Sequence, residues 1–193
     1  MFCAHNHCGN STLPVYNAAI MAAQNLENSL PSSRSMPWLK KITLFVAISP
    51  PGRWLVKNVV SRLDIWLYHF SKGRLSFTRL LGFPVLILVT KGVRSGVLRE
   101  TPLLYARNNE NVAVIASSLG SAHHPQWYRN LLANPEASLY FDGHQSLYSY
   151  RQLEGEERQE YWQRMQEVYP GYNRYAELAG GRHIPVILFS PLE

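Results

Sequence analysis

Apolar residues recur at helical spacing in one stretch of this chain and gather into short runs in the rest. Across residues 54–70, Leu55, Val56, Val59, Val60, Leu63, Trp66, Leu67 and Phe70 form one broad stripe. Lys57, Asn58, Ser61, Arg62 and Asp64 fall on the other side, so the pattern predicts an amphipathic helix. Packing of the stripe on the rest of the domain is the expected use, and a helix lying on a membrane surface is the alternative. From Phe83 the period changes. Residues 84–90 make a continuous apolar run, read as a buried strand, and further strands are expected at 101–106, 112–117, 137–141, 145–152 and 185–190. Asn108 to Asn111 reads as a turn, and Asp142-Gly143 as the turn of a hairpin. Helices are expected at 125–133, where Pro125 suits the first turn, and at 156–169, which opens with acids and stops at Pro170. Six short strands with inserted helices predict a small barrel of mainly β character.

Composition sharpens this picture. At 193 residues and 46% hydrophobic, the chain is long enough for one domain with a real core. Aromatics reach 12% and eleven are tyrosines, which suits a half-wet cavity. The net charge of +6 is uneven: residues 1–80 carry nine Lys/Arg against two acids, whereas residues 81–193 carry ten against eleven. The excess therefore belongs to the N-terminal part, which divides into a mobile tail (1–35) and a basic amphipathic segment (36–80) ahead of the barrel (81–193). Met36 is the expected natural start. No nucleic-acid motif accompanies the charge, so an anionic membrane surface at residues 36–70 or an anionic cofactor is the better partner. The expected location is cytoplasmic, with peripheral contact at the inner face of the membrane. The longest apolar run of the basic segment, residues 42–48, is too short to span a bilayer. Cys3, His5, His7 and Cys8 crowd into six residues with no second half, spacing that argues against a zinc site.

Three segments carry candidate chemistry. Thr90-Lys91-Gly92-Val93-Arg94-Ser95-Gly96, with Arg99 beyond it, offers a tight turn, a hydroxyl and cations that suit a phosphate. Taken alone, it is only a Gly/Ser/basic hairpin, and such turns are commonly just turns. Ala116-Ser117-Ser118 leads through a small-residue loop to His123, His124 and the helix bearing Gln126 and Trp127. His124 sits where a helix cap would lie, no third metal ligand is visible, and Trp127 suits core packing. Tyr169, Tyr172 and Tyr175, three apart, could wall an aromatic substrate pocket or simply mark a boundary of amphipathic rings.

The ordered series is more specific than any of its parts. Leu88 to Gly96, Arg99-Glu100-Thr101-Pro102-Leu103, Ala116-Ser117-Ser118, His124-Pro125-Gln126-Trp127-Tyr128-Arg129-Asn130-Leu131, Ala133-Asn134-Pro135, Gly155 to Arg158, Tyr169-Pro170-Gly171-Tyr172 and Ile184-Pro185-Val186 occur in this order. The series resembles the deazaflavin-dependent nitroreductase and quinone reductase family over residues 70–191. The resemblance implies an FMN-binding-type split β-barrel, a noncovalent deazaflavin (coenzyme F-420), and hydride transfer to quinone or nitro acceptors. It also implies that Lys91, Gly92, Arg94, Ser95, Gly96, Arg99 and Pro102 lie by the cofactor's phosphate side. Ala116, Ser117, Ser118, Gln126 and Trp127 would continue that site, and Tyr169, Tyr172 and Tyr175 would face the acceptor, with Ser117 near the reacting ring.

Two positions depart from the family pattern: Val93 stands where an arginine is usual, and Ser118 where a lysine is usual. Each lost charged contact to a ligand would cost about 1.5–3 kcal/mol, and the two together roughly two to four powers of ten in affinity. FMN is therefore the alternative cofactor. A non-catalytic ligand-binding barrel, or a membrane-surface adaptor built on residues 36–70, is the alternative function. The sequence leaves the oligomeric state open.

Overall fold

A computed structural model of the chain describes residues 46–71, 75–141 and 143–192. Two units divide the chain, Met1–Ser35 and Met36–Glu193, and every described residue lies in the second. The N-terminal tail, the Cys/His cluster and Asp142 of the expected hairpin turn lie outside the described residues.

The apolar runs become seven antiparallel strands: β1 (Val85–Lys91), β2 (Leu98–Leu104), β3 (Ala106–Asn108), β4 (Asn111–Ile115), β5 (Ala137–Phe141), β6 (His144–Gln152) and β7 (Val186–Pro191). Their order in the sheet is β2-β1-β5-β6-β7-β4-β3. The two ends of this sheet, β2 and β3, are consecutive in the chain and separated by Tyr105 alone. One bent strand thus carries both ends of the curled sheet, pairing with β1 through Leu104 and with β4 from Ala106. Counted as one, it gives the six strands expected of the split β-barrel; the sequence reading did not see the break.

Alternation sorts the side chains onto two buried faces. Leu86, Leu88, Val112, Val114, Leu139, Ile187 and Phe189 pack with Trp127, Tyr128 and Leu131, the last three on helix α4 (Gln126–Ala133). Ala113, Ile115, Val186 and Leu188 face the opposite way, toward Tyr161, Met165 and the three tyrosines. Burial on both faces is why these strands read as continuous apolar runs. Pro125 is the residue before α4 rather than in its first turn, with extended backbone, and His124 does not cap the helix.

The N-terminal helix departs most from expectation. It runs as α1 (Pro50–Leu55), one turn of π-helix (Val56–Val60) and α2 (Ser61–Phe70). Its expected apolar stripe does not pack inward as a whole. Asp64 and Tyr68 are buried, whereas Trp54, Val59, Leu63, Trp66 and Phe70 are exposed, Phe70 at 76%. The Asp64 carboxylate accepts hydrogen bonds from Ser76 Oγ (2.8 Å), Thr78 N–H (2.9 Å) and Thr78 Oγ1 (2.5 Å). These donors sit at the start of helix α3 (Phe77–Leu80), whose cap is Ser76. A buried carboxylate is tolerable only when so bonded. Tyr68 fills the adjacent place, edge-on to Tyr140 at 5.0 Å.

Candidate active site

Between the N-terminal helix and the sheet lies an apolar cavity of about 380 Å³. Val56, Val60 and Asp64 line one side, Phe83, Val85, Pro102 and Ile115 another, and Ser117, Leu119, Tyr169, Tyr172 and Tyr175 a third.

The tyrosines reach it by way of a helix break. Helix α5 (Gly155–Val168) ends just before Tyr169, and α6 (Tyr172–Leu178) begins after Pro170-Gly171. Tyr172 and Tyr175, three apart, share one face of α6. The Tyr169 ring folds back over Gly171, where any Cβ would lie 2.4 Å from it. Ring centroids are then 5.4 Å apart for Tyr169 and Tyr172, and 5.8 Å for Tyr169 and Tyr175. The Tyr169 and Tyr175 hydroxyls bond each other at 3.0 Å, and Tyr175 donates onward to the Ala47 carbonyl at 3.4 Å. This fixes the pair as a chain running from Tyr169. Tyr172 lines the cavity, and its hydroxyl has no hydrogen-bond partner among the described residues. Burial pushes all three phenols above their usual range, so each is a protonated hydroxyl at neutral pH.

Ser117 follows β4, and its turn is unusual. Ser118 (φ 51°), Leu119 (φ 53°) and Gly120 (φ 76°) are consecutive left-handed residues. The two that are not glycine are disfavoured there by roughly 1–2 kcal/mol each. The turn is closed by Gly120 N–H to Ser117 C=O (3.1 Å) and Ser121 N–H to Ser118 C=O (3.0 Å). Gly120 presses against α6, where an added Cβ would lie 2.7 Å from Leu178. The turn is thereby set against the tyrosine helix. Behind it, Arg182 Nη2 donates to Ser117 C=O (2.7 Å), Nη1 to Ala116 C=O (3.3 Å) and Nε to Ser121 C=O (3.0 Å). Nη1 also lies 3.1 Å from His124 Nδ1. Burial, then the neighbouring Arg182 and Arg129 guanidinium groups, hold the His124 imidazole below its usual range, so its neutral Nδ1 accepts from Arg182.

The basic hairpin lies at the other end of β2. Gly92 and Val97 close it at 2.9 Å, and Gly96 turns it at φ 66°. Buried Asn130 on α4 ties the hairpin down: its Oδ1 accepts from Val93 N–H (3.3 Å) and Gln126 Nε2 (3.1 Å), and its Nδ2 donates to Thr90 Oγ1 (3.2 Å). Lys91, Arg94, Ser95 and Arg99 are exposed, and none of the three cations pairs with an acid among the described residues. Arg99 lies three residues before Pro102 on one strand, about 10 Å along it, and the odd separation puts the two side chains on opposite faces of β2. Gln126 is exposed on the first turn of α4, and Trp127 is buried in the core beneath it.

The structure thus gathers Ser117 and the three tyrosines around one cavity, with Pro102 on its wall. It sets the cations of the hairpin outside. Asp64, Leu119 and Arg182 were not singled out from the sequence. Asp64 carried a faint signal, as one of two acids in the basic first 80 residues. Among the described residues no group of three His, Cys, Asp or Glu is placed to hold a metal ion, and no helix is long and apolar enough to cross a membrane.

The chain is similar to several known proteins. The family model for F420H(2)-dependent quinone reductase matches residues 60–191. A protein of Mycobacterium tuberculosis, named as an inferred F420H(2)-dependent quinone reductase, is 34% identical over 108 residues, which cover 56% of this chain and 90% of that protein. A second from the same organism, named F420H(2)-dependent quinone reductase, is 34% identical over 91 residues, covering 46% of this chain and 61% of that one. A solved structure titled F420-H2 dependent reductase is 36% identical over 55% of this chain and 94% of its own, with a TM-score of 0.51. Another, titled domain-swapped dimer, is also 36% identical and has a TM-score of 0.52 over 55% of this chain and 80% of its own.

Proposed function

Because the chain belongs to the F420H(2)-dependent quinone reductase family, we propose that it is an oxidoreductase in which reduced deazaflavin passes a hydride to a quinone, with nitro compounds as a second acceptor class. When bound, the deazaflavin supplies the two-electron chemistry. The chain's own residues hold it, orient the acceptor and keep water out. Lys91, Arg94 and Arg99, exposed and without acidic partners among the described residues, take its anionic side. Ser95 and the backbone around Gly92 and Gly96 add neutral donors, and Pro102 marks the edge. Ala116, Ser117 and Ser118 continue the site, with Gln126 at the head of α4 and Trp127 holding that helix in place. The donor set fits an anionic group outside and a flat ring inside, even with valine at 93 and serine at 118. The acceptor enters the apolar cavity, where Tyr172 donates a hydrogen bond to its oxygen as charge develops; Tyr169 and Tyr175 fix the wall. The observation that carries this reading is a protonated tyrosine, Tyr172, whose hydroxyl has no hydrogen-bond partner among the described residues and which lines the same mainly apolar cavity as Ser117.

The test is a titration with oxidised coenzyme F-420 beside FMN at two salt concentrations, followed by turnover with a soluble quinone and a nitro compound. Micromolar binding that weakens with salt, preference over FMN, and quinone turnover are expected. Tight FMN binding alone would make the protein a flavin enzyme, and binding without turnover would leave it a ligand carrier.

A membrane-borne quinone is the acceptor that best suits the outer face of the N-terminal helix. Trp54 and Trp66 are exposed at 63% and 61%, beside Leu63 and Phe70, with Lys57 and Arg62 on the flanks. Apolar rings with basic neighbours suit an anionic leaflet. Wild-type protein is expected to sediment with anionic lipid vesicles and Trp66→Glu to stay in solution; equal sedimentation of the two would rule out this contact.

A further inference from the structure

We propose that Arg182 is a positioning residue of this site: its guanidinium holds the Ser117–Gly120 turn in its left-handed form and thereby sets the surface on which the cofactor's ring rests. The proposal rests on the reading that the ring lies against Ser117 and Ser118.

Left-handed backbone at Ser118 and Leu119 is unstable by itself, because each Cβ crowds the carbonyl that follows it. Such a conformation persists only where the surroundings fix it from several directions. Gly120 fixes the far end by its contact with α6. Arg182 brackets the turn, its Nη1 and Nη2 going to the carbonyls of Ala116 and Ser117 at its start and its Nε to that of Ser121 beyond its end. The planar fork spans these three acceptors, whereas lysine's three donors radiate from a single nitrogen and lack that spread. Those carbonyls lie 61 to 66 residues away in sequence, so the contact joins the loop before β7 to the loop after β4.

The succession from Ser117 (φ −71°, ψ −31°) to left-handed Ser118 is a backbone form that turns successive N–H groups toward one point. Gly120 and Ser121 donate the two bonds that close the turn, so the Ser118 and Leu119 N–H groups stand outside that closure. Where the family has a lysine, this chain presents backbone donors and a hydroxyl instead. Their position depends on the turn, which Arg182 holds by three bonds and Arg53 Nη1 by one longer bond to the Leu119 carbonyl at 3.5 Å. Arg182 itself faces the carbonyl side and is not a ligand in this scheme.

Three measurements on the full chain test the claim with Arg182→Met and Arg182→Lys. In the ligand-free protein, the Gly120 and Ser121 amides should exchange with deuterium about tenfold faster in both variants, with the β-strand amides unchanged. Oxidised coenzyme F-420 should bind Arg182→Met about tenfold more weakly and with altered fluorescence. The kcat should fall about tenfold while KM for the quinone holds. Adding millimolar guanidinium should restore part of both losses in Arg182→Met. Unchanged exchange and unchanged binding in the variants would overturn the proposal. A wild type that binds no deazaflavin would sink the ring's placement, while the exchange result would still decide whether Arg182 holds the turn. Should Arg182→Met not fold, Arg182→Lys, which keeps the charge and loses the fork, gives the decision.

Discussion

Tyr172→Phe should lower kcat for quinone reduction about 100-fold and leave cofactor binding unchanged. Tyr172 lines an apolar cavity and its hydroxyl has no partner among the described residues, in contrast to the Tyr169–Tyr175 pair, which bond each other at 3.0 Å. A donor aimed at developing charge in a water-poor site typically contributes a factor of 10²–10³. Phenylalanine keeps the ring and its edge-on contact with Tyr169, so the thermal midpoint should barely move. Burial raises the phenol above its ordinary 10.0, so the hydroxyl stays a donor and the wild-type rate should show no tyrosine titration up to that pH. Stopped-flow oxidation of the reduced cofactor by a soluble quinone measures this. A variant as fast as wild type would remove Tyr172 from the chemistry and leave Ser117 as the candidate donor.

Asp64→Ala should destabilise the fold by about 3–5 kcal/mol, because a buried acceptor is deleted and its donors remain. Asp64 is 2% exposed and serves Ser76 Oγ, Thr78 N–H and Thr78 Oγ1. Alanine leaves all three without an acceptor in the place where α2 meets α3. For a domain of this size the loss corresponds to a fall of roughly 10 °C or more in thermal midpoint. The helix that roofs the cavity is also freed, so KM for the acceptor should rise more than kcat falls. Asp64→Asn keeps one oxygen acceptor and should lose about half as much. Thermal melts by circular dichroism decide the point: a drop under about 3 °C would show that α2 is held chiefly by Tyr68 and its aliphatic neighbours.

These residues also mark where the sequence was readable. The strands were visible because burial on both faces leaves an unbroken apolar run, as in Val85 to Leu88. The tyrosine wall was visible as a spacing, and its meaning came from the ordered motifs around it. Asp64 was misread as solvent-facing because its donors lie 12 and 14 residues later, beyond the reach of helical periodicity. The same error turned the apolar stripe inward on paper, when Val56, Val60, Asp64 and Tyr68 form the inner edge and Trp66 and Phe70 face out. Arg182 was invisible for another reason. Its acceptors are main-chain carbonyls, which every residue carries and no pattern of side chains can flag. The left-handed turn it holds is likewise unmarked, since Ser118 and Leu119 are not residues that advertise positive φ.

The place of β7 in the sheet has a consequence for synthesis. It lies between β6 and β4, bonded to Ser149 and Tyr150 on one side and to Val112 and Val114 on the other. A nascent chain emerging from the ribosome can pair β1 with β2 and β5 with β6, yet β4 and β6 remain raw edges until residues 186–191 arrive. Such edges are open to pairing with any other extended chain. Assembly of the barrel therefore waits on its last strand, and the interval before that strand pairs is when the chain most needs a chaperone.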